Sequence, residues 1–178
     1  LVPIESIRGM TQLTFPSSTI TSDKKFGQII DVDVPTHVCG MMKFANGAMG
    51  TIMTSFDVWG ANLPCIEIYG TQGSLSVPDP NRFGGPVKIK KATFKDFEDV
   101  PLSHIYDENS RGIGVSDMAY ALQTGGKNRA SGELAYHVLD AMHAFHDSAD
   151  SGCEVKLQSR CIRPEPLPTD ITKGYLDR

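Results

Sequence analysis

The hydrophobic pattern of the first two thirds of the chain predicts β-strands joined by tight turns. Residues 35–44 and 48–56 are two apolar runs, and the Asn-Gly pair at 46–47 between them accepts the positive φ angles of a type I′ turn. This pattern predicts a β-hairpin. A second hairpin is predicted from 65–69 and 74–77, which a Gly-Thr-Gln-Gly connection separates. Single strands are predicted at 4–15, 87–90 and 154–157.

The periodicity changes near Gly112 from that of strands to that of helices. Apolar residues three and four positions apart predict a short helix at 114–123 and a longer one at 131–149, each ended by glycine. The apolar stripe of the short helix comprises Val115, Met118, Ala119 and Leu122. The stripe of the long helix comprises Leu134, Val138, Ala141, Met142 and Phe145.

The order of these elements predicts the fold class. Strands that come first, are joined by hairpins and are followed by helices are typical of α+β proteins. We expect one domain over residues 1–178, with an open, mainly antiparallel β-sheet and helices on one face of that sheet. A chain of this length can bury one sizeable core.

Both faces of the first hairpin carry apolar side chains. Val38, Gly40 and Met42 point to one side of the sheet, whereas Met41 points to the other. On the second strand, Met53 opposes Ile52 in the same way. Since helices cover only one face, the strip that contains Met41 and Met53 is predicted to meet a second sheet, most simply that of another copy of the chain. A homo-oligomer is therefore expected.

Composition and charge exclude several classes of function. A net charge of −4 is unlike that of proteins that bind the phosphate backbone of nucleic acids. No run approaches the ~20 apolar residues that cross a bilayer, and the start lacks the features of a signal peptide. Four widely spaced cysteines without a Cys-x-x-Cys pair indicate reduced thiols and favour the cytoplasm. Because the chain opens with Leu1, we expect it to be a fragment of a longer protein or a processed product.

The chain contains no complete motif for catalysis or for cofactor binding. Gly112-x-Gly114 is the nearest approach to the Gly-x-Gly-x-x-Gly turn of dinucleotide-binding domains, and it lacks the third glycine. His137, His143 and His146 share one predicted helix without a convincing carboxylate partner, so packing or surface roles are favoured over a metal site. We therefore expect no catalytic, cofactor-binding or metal-binding residue in this chain.

Two polar loops are candidates for binding a substrate. The first carries Asp57 and Trp59, the single Trp of the chain, and an aromatic ring beside a carboxylate suits the apolar face and the hydroxyls of a sugar. The second carries Asn109 and Arg111 just ahead of the short helix. The structural alternatives are that Trp59 plugs the end of the sheet and that the second loop is a polar surface loop that caps the helix.

Several segments resemble the C-terminal domain of Gfo/Idh/MocA oxidoreductases, whose fold is that of glucose-fructose oxidoreductase-like dehydrogenases. The resemblance rests on Val-Pro-Thr-His-Val at 34–38, Phe-Ala-Asn-Gly-Ala-Met-Gly-Thr at 44–51 and Ile-Glu-Ile-Tyr-Gly-Thr-Gln-Gly-Ser-Leu at 66–75. It continues in Arg-Ala-Ser-Gly-Glu-Leu-Ala at 129–135 and His-Val-Leu-Asp at 137–140. The order and spacing of these segments extend over nearly the whole chain.

The resemblance implies a role inside a two-domain enzyme that acts on CH–OH groups. In that family an N-terminal Rossmann domain binds NAD or NADP, and the C-terminal sheet shapes the substrate pocket and joins subunits. The family's Glu-Lys-Pro motif, which carries the catalytic lysine, is absent here, so no catalytic residue is carried over. Asp57 and Trp59, and also Asn109 and Arg111, fall where family members line the substrate. The chain would be the substrate-binding and oligomerisation domain of a sugar or polyol oxidoreductase, inactive alone; the alternative is a non-enzymatic sugar-binding or assembly module.

Overall fold

The computed structural model describes residues 2–103, 105–169, 171 and 174–176. The chain divides into two compact units, which we call unit 1 (Leu1–Gly60 and Ala130–Arg163) and unit 2 (Ala61–Arg129 and Pro164–Arg178). Every pairing between its strands is antiparallel, and the α+β class is confirmed. The expectation of one domain over 1–178 stays a prediction.

Ten strands and two α-helices occur in the described residues. The strands are β1 (Ile4–Gln12), β2 (Ser17–Thr19), β3 (Ile29–Asp31), β4 (His37–Phe44), β5 (Met49–Ser55), β6 (Ile66–Gly70), β7 (Gly73–Val77), β8 (Val87–Lys90), β9 (Glu98–Val100) and β10 (Val155–Lys156). The helices are α1 (Ile113–Thr124) and α2 (Gly132–Ser151). The sheets have the orders β10-β1-β4-β5, β2-β3 and β6-β7-β8-β9.

The core of unit 1 lies between α2 and the four-stranded sheet. Ile7 of β1 packs with Ala141, Ala144 and Phe145 of α2, and all four are buried. The helix approaches the sheet closely because Gly9 has no side chain: a Cβ atom there would lie 2.4 Å from the carbonyl oxygen of Phe145. Small residues on both elements thus set the distance between helix and sheet.

The face of this sheet that points away from α2 carries four methionines. Met10, Cys39 and Met53 are paired across three strands, and Met41 and Met49 lie on the same side. Met41 is 57% exposed and Met53 53% exposed, whereas Gly40, which precedes Met41 on β4, faces the ring of Phe145. The predicted division of the hairpin into a helix-facing side and a second apolar side is confirmed. We call this second side the methionine face.

The buried side of α2 differs from the predicted stripe. Ala141 and Phe145 are buried as expected, but Val138 and Met142 are exposed, and the polar His137 and Ser148 are buried instead. The burial of Ser148 is compensated by two hydrogen bonds. Its hydroxyl accepts the N–H of Gly9 at 2.9 Å and donates to the carbonyl of Cys153 at 2.6 Å. The helix is therefore turned so that small and hydrogen-bonded residues meet the sheet.

The apolar stripe predicted for α1 is also exposed. Val115, Met118 and Leu122 all face outward, and the buried residue of the helix is Asp117, at 7% exposure. Asp117 forms an ion pair with Arg129, whose backbone N–H donates to the same carboxylate at 2.6 Å. A polar contact that hydrophobic periodicity does not register thus orients this helix.

The turn of the first hairpin is not type I′, contrary to the prediction. Gly47 has a φ of 86°, but no other residue than glycine has positive φ in the described part of the chain, so Asn46 does not. The N–H of Gly47 donates to the carbonyl of Phe44 at 2.8 Å. This geometry is that of a three-residue loop closed by a glycine bulge, which also accepts Asn-Gly.

A small hairpin interrupts the chain between β1 and β4. Strand β1 ends at Gln12 rather than at 15, and β2 and β3 pair with each other beyond it. The sequence predicted a turn at 16–18, where β2 lies. Each strand has only three exposed residues, so no alternation of buried and exposed side chains marks them.

The second predicted hairpin is confirmed and belongs to a separate sheet in unit 2. Strands β6 and β7 pair antiparallel. The strand predicted at 87–90 is β8, which pairs with β7, while β9 was not foreseen. Ile68, Leu75 and Ile89 are directly paired across three strands, so unit 2 has its own apolar sheet face.

Candidate functional site

The loop that follows β5 holds its carboxylate in a fixed place. The Thr36 hydroxyl donates to Oδ2 of Asp57 at 2.6 Å, which is the short distance typical of a hydroxyl bound to a charged carboxylate. The backbone N–H of Asp57 donates to the hydroxyl of Ser55 at 3.1 Å. Asp57 is only partly buried, so it is both anchored and accessible.

Trp59 lies two residues further along this loop and is fully exposed. Its relative accessibility is 103%, and the neighbouring Phe56 is also exposed. The alternative that Trp59 plugs the end of the sheet is therefore wrong. We call residues 56–60 the aromatic loop: it presents two rings beside an anchored carboxylate, an arrangement that suits a ligand with both an apolar face and hydroxyl groups.

The other predicted pair lies in unit 2. Asn109 and Arg111 are both exposed, in a loop that leads into α1. No side chain caps the N-terminus of α1, whose N-cap is Gly112, so the loop does not have the capping role considered as its alternative. Nearby, Tyr106 and Ser110 line a hollow of about 250 Å³.

The four predicted residues thus form two pairs. Asp57 and Trp59 share the aromatic loop of unit 1, whereas Asn109 and Arg111 share a loop of unit 2. A larger cleft, of about 860 Å³, lies elsewhere in unit 1. Met10, Met41 and Thr51 line it from the sheet, so it adjoins the methionine face rather than the aromatic loop.

Thr36 is the residue of this region to which the sequence analysis gave no role. It precedes β4, and the pairing of His37 with Ser55 places it opposite Phe56. The signal was present in the hairpin itself, since the register that joins the two strands also brings Thr36 beside the start of the aromatic loop. Sequence reasoning missed it because threonine before a strand is an ordinary β-former.

His137 has a structural role, which agrees with the packing role favoured from the sequence. The N–H of Ile4 donates to its Nε2 at 2.9 Å, so Nδ1 carries the proton and donates to the hydroxyl of Ser159 at 2.8 Å. Two hydrogen bonds from Ser159 lower the pKa of Asp140 below its usual value. The larger effect comes from the hydroxyl of Ser159 and the smaller from its backbone N–H. This network joins α2 to β1 and to the segment after β10.

Neither metal ligands nor a membrane helix emerge from the described residues. No group of three or more His, Cys, Asp or Glu side chains among them is placed to hold a metal ion. Within the same residues, no helix is both long enough and apolar enough to cross a bilayer. All four cysteines have free thiols.

The comparison with protein families concerns the segment that forms β1 to β7. Residues 1–76 match the GFO/IDH/MocA C-terminal domain. The predicted family resemblance is confirmed for this segment. No curated protein sequence matches the chain. The matched residues include the aromatic loop and Thr36, whereas Asn109 and Arg111 lie beyond them.

Solved structures share the fold of this chain. A levoglucosan dehydrogenase in complex with NADH and L-sorbose superimposes with a TM-score of 0.69 at 23% identity, over 89% of this chain and 46% of that one. An NAD binding oxidoreductase from Klebsiella pneumoniae gives 0.69 at 17% identity over 89% and 46%. An aldose-aldose oxidoreductase from Caulobacter crescentus, complexed with glycerol, gives 0.62 at 17% over 88% and 42%. The chain spans less than half the length of these proteins.

Proposed function

We propose that this chain is the substrate-binding and oligomerisation domain of an NAD(P)-dependent oxidoreductase that acts on a CH–OH group of a sugar or polyol. The family match and the shared fold support an oxidoreductase as the parent. Two structural neighbours are complexes with L-sorbose and with glycerol, which are polyhydroxylated molecules. The chain alone is inactive in this proposal, and the parent works in the cytoplasm.

The observation that carries the proposal is the aromatic loop. Trp59 offers an exposed ring for stacking, and Asp57 beside it offers an anchored carboxylate for hydroxyl donors. Sugars present both features, because their C–H face is apolar and their hydroxyls donate hydrogen bonds. Asn109 and Arg111 supply polar contacts to the same class of substrate in this proposal.

The cofactor belongs to another part of the parent protein in this proposal. NAD or NADP needs a phosphate cradle of the Gly-x-Gly-x-x-Gly type, and the 178 residues contain none. The nicotinamide accepts or delivers the hydride when it is bound. The residues of this chain hold and orient the polyol, while the groups that move the hydroxyl proton lie outside it.

The methionine face is the proposed contact between subunits. Four exposed thioethers on one side of an open sheet form an apolar surface that a monomer rarely leaves uncovered. A second copy of the same sheet is its simplest partner, because a twofold axis places the same residues on both sides. The other side of the sheet is already covered by α2.

We expect Trp59→Ala and Asp57→Asn to impair substrate use in the intact parent. Each change should lower kcat/KM for the polyol by about tenfold, since stacking or a charge-assisted hydrogen bond contributes ~1.4 kcal/mol or more. The affinity for NAD or NADP should stay the same, because the loop faces the substrate. Steady-state kinetics with varied polyol, together with cofactor titration, measures both effects.

Phe26→Ala is the matched control, because Phe26 is another exposed aromatic residue of unit 1 outside the aromatic loop. It should leave kcat/KM unchanged. If Trp59→Ala and Asp57→Asn also stayed within about twofold of the parent, the aromatic loop would have no part in the substrate pocket.

A further inference from the structure

We propose that Thr36 is a positioning residue, which holds the aromatic loop in place and leaves one oxygen of Asp57 for the substrate. This inference rests on the proposed function for its final step only. Its structural part concerns the chain as it stands and is tested separately below.

Thr36 joins three segments of unit 1 through three hydrogen bonds. Its N–H donates to the carbonyl of Gln12 at the end of β1, at 3.0 Å. Its carbonyl accepts the N–H of Phe56 at 2.9 Å, and its hydroxyl donates to Asp57 at 2.6 Å. A residue fixed to the sheet by its backbone therefore holds the first two residues of the aromatic loop.

The side chain of threonine suits this role. Branching at Cβ restricts its χ1 angle, so the hydroxyl has few directions once the backbone is fixed. Thr36 is partly buried and its backbone lies beside β4, which limits the directions further. The fixed backbone of Thr36 thus restricts the position of the Asp57 carboxylate through the hydroxyl hydrogen bond.

The hydrogen bond also determines what Asp57 can bind. Within the described residues, the carboxylate receives one side-chain donor, and that donor occupies Oδ2. Oδ1 is left as an acceptor, and the exposed Trp59 follows two residues later in the same loop. An acceptor of this kind selects ligands that donate, such as neutral hydroxyl groups, and disfavours carboxylate or phosphate groups at the same point. The geometry therefore points to a neutral polyol rather than a sugar acid or a sugar phosphate.

The structural part is tested on the 178-residue chain by the fluorescence of Trp59. Because Trp59 is the single tryptophan, the fast component of its time-resolved anisotropy reports motion in the aromatic loop, separately from the slower tumbling of the whole molecule. We expect Thr36→Val, which removes the hydroxyl and keeps the shape, to increase the amplitude of nanosecond depolarisation at least about twofold. Thr36→Ser retains the hydroxyl and should restore the behaviour of the parent chain.

Thr19→Val is the control, since it makes the same chemical change at an exposed position of β2, outside both the aromatic loop and the methionine face. It should leave the anisotropy decay unchanged. Circular dichroism of each variant confirms that the fold is retained. If Thr36→Val matched the parent chain in anisotropy, or if Thr36→Ser behaved like Thr36→Val, the positioning role would be wrong.

The functional part is tested in the intact parent enzyme. Thr36→Val should raise KM for a neutral polyol such as L-sorbose about fivefold to tenfold, with kcat nearly unchanged and with normal cofactor affinity. Thr36→Ser should return KM to within about twofold of the parent. If Thr36→Val increased the depolarisation of Trp59 but left KM unchanged, the aromatic loop would have no role in binding the substrate. If Thr36→Val left the depolarisation unchanged, Thr36 would not position the loop.

Discussion

Replacing Gly9 with alanine is expected to unfold unit 1 or to destabilise it severely. The added Cβ would lie 2.4 Å from the carbonyl oxygen and 2.8 Å from the Cα of Phe145. Both are backbone atoms of α2, so the contact cannot be relieved by a change of rotamer. The helix would have to move away from β1, which would also loosen Ile7 and Ala144 in the core.

The expected loss for Gly9→Ala is about 3 kcal/mol or more, at the upper end for overpacked cores. This corresponds to a fall in Tm of more than about 10 °C for a unit of this size. Thermal unfolding followed by circular dichroism measures the Tm of Gly9→Ala and of the parent chain. The Tm of the variant should be lower, because helix and strand approach each other closely at Gly9.

Gly114→Ala provides the control for Gly9→Ala. Gly114 lies in α1, and no atom lies within 4 Å of the position its Cβ would take. Alanine there should keep or raise stability, by up to ~1 kcal/mol, because it favours the helix. If the two variants had equal Tm values, α2 would not rest on Gly9 as the structure places it.

Introducing lysine at both Met41 and Met53 is expected to abolish self-association. The two side chains lie on the methionine face, and each new ammonium group would have to leave water when the second copy docks. A sheet-to-sheet contact of standard size buries roughly 1,200 Å² or more. Two desolvated charges at its centre should raise the dimer Kd at least about 100-fold, while the exposed positions leave the fold intact.

Sedimentation velocity at tens of micromolar measures the association state. The parent chain should sediment as a dimer and the Met41→Lys/Met53→Lys variant as a monomer. Met118→Lys/Met142→Lys adds the same charge at two exposed methionines on the helices and should leave the dimer unchanged. A monomeric parent chain would show that the methionine face is not the contact between copies.

The hairpin of β4 and β5 shows what could be predicted from the sequence. Period-2 alternation determines which side chains share a face, so Met41 and Met53 were correctly separated from Met42 and the helix-facing side. The same local signals located Asp57 and Trp59 in one loop. These features depend on residues that are close in sequence or joined by one tight turn.

The helices show where such reasoning fails. Hydrophobic periodicity placed Val115 and Leu122 on a buried stripe, but Asp117 is the buried residue of α1. It is buried because it forms an ion pair with Arg129, which lies outside the helix. Thr36 escaped notice for the same reason: its role comes from hydrogen bonds to residues about 20 positions away in sequence. Polar contacts over such distances leave no periodic trace.

Titration of the 178-residue chain with NADH and NADPH tests the central claim most directly. The proposed function places the substrate pocket and the subunit contact in this chain and the cofactor in another part of the parent. It therefore predicts no heat of binding for either dinucleotide up to about 1 mM, whereas the intact parent should bind one of them at micromolar concentration. Micromolar affinity of the 178-residue chain for NADH or NADPH would contradict the assignment.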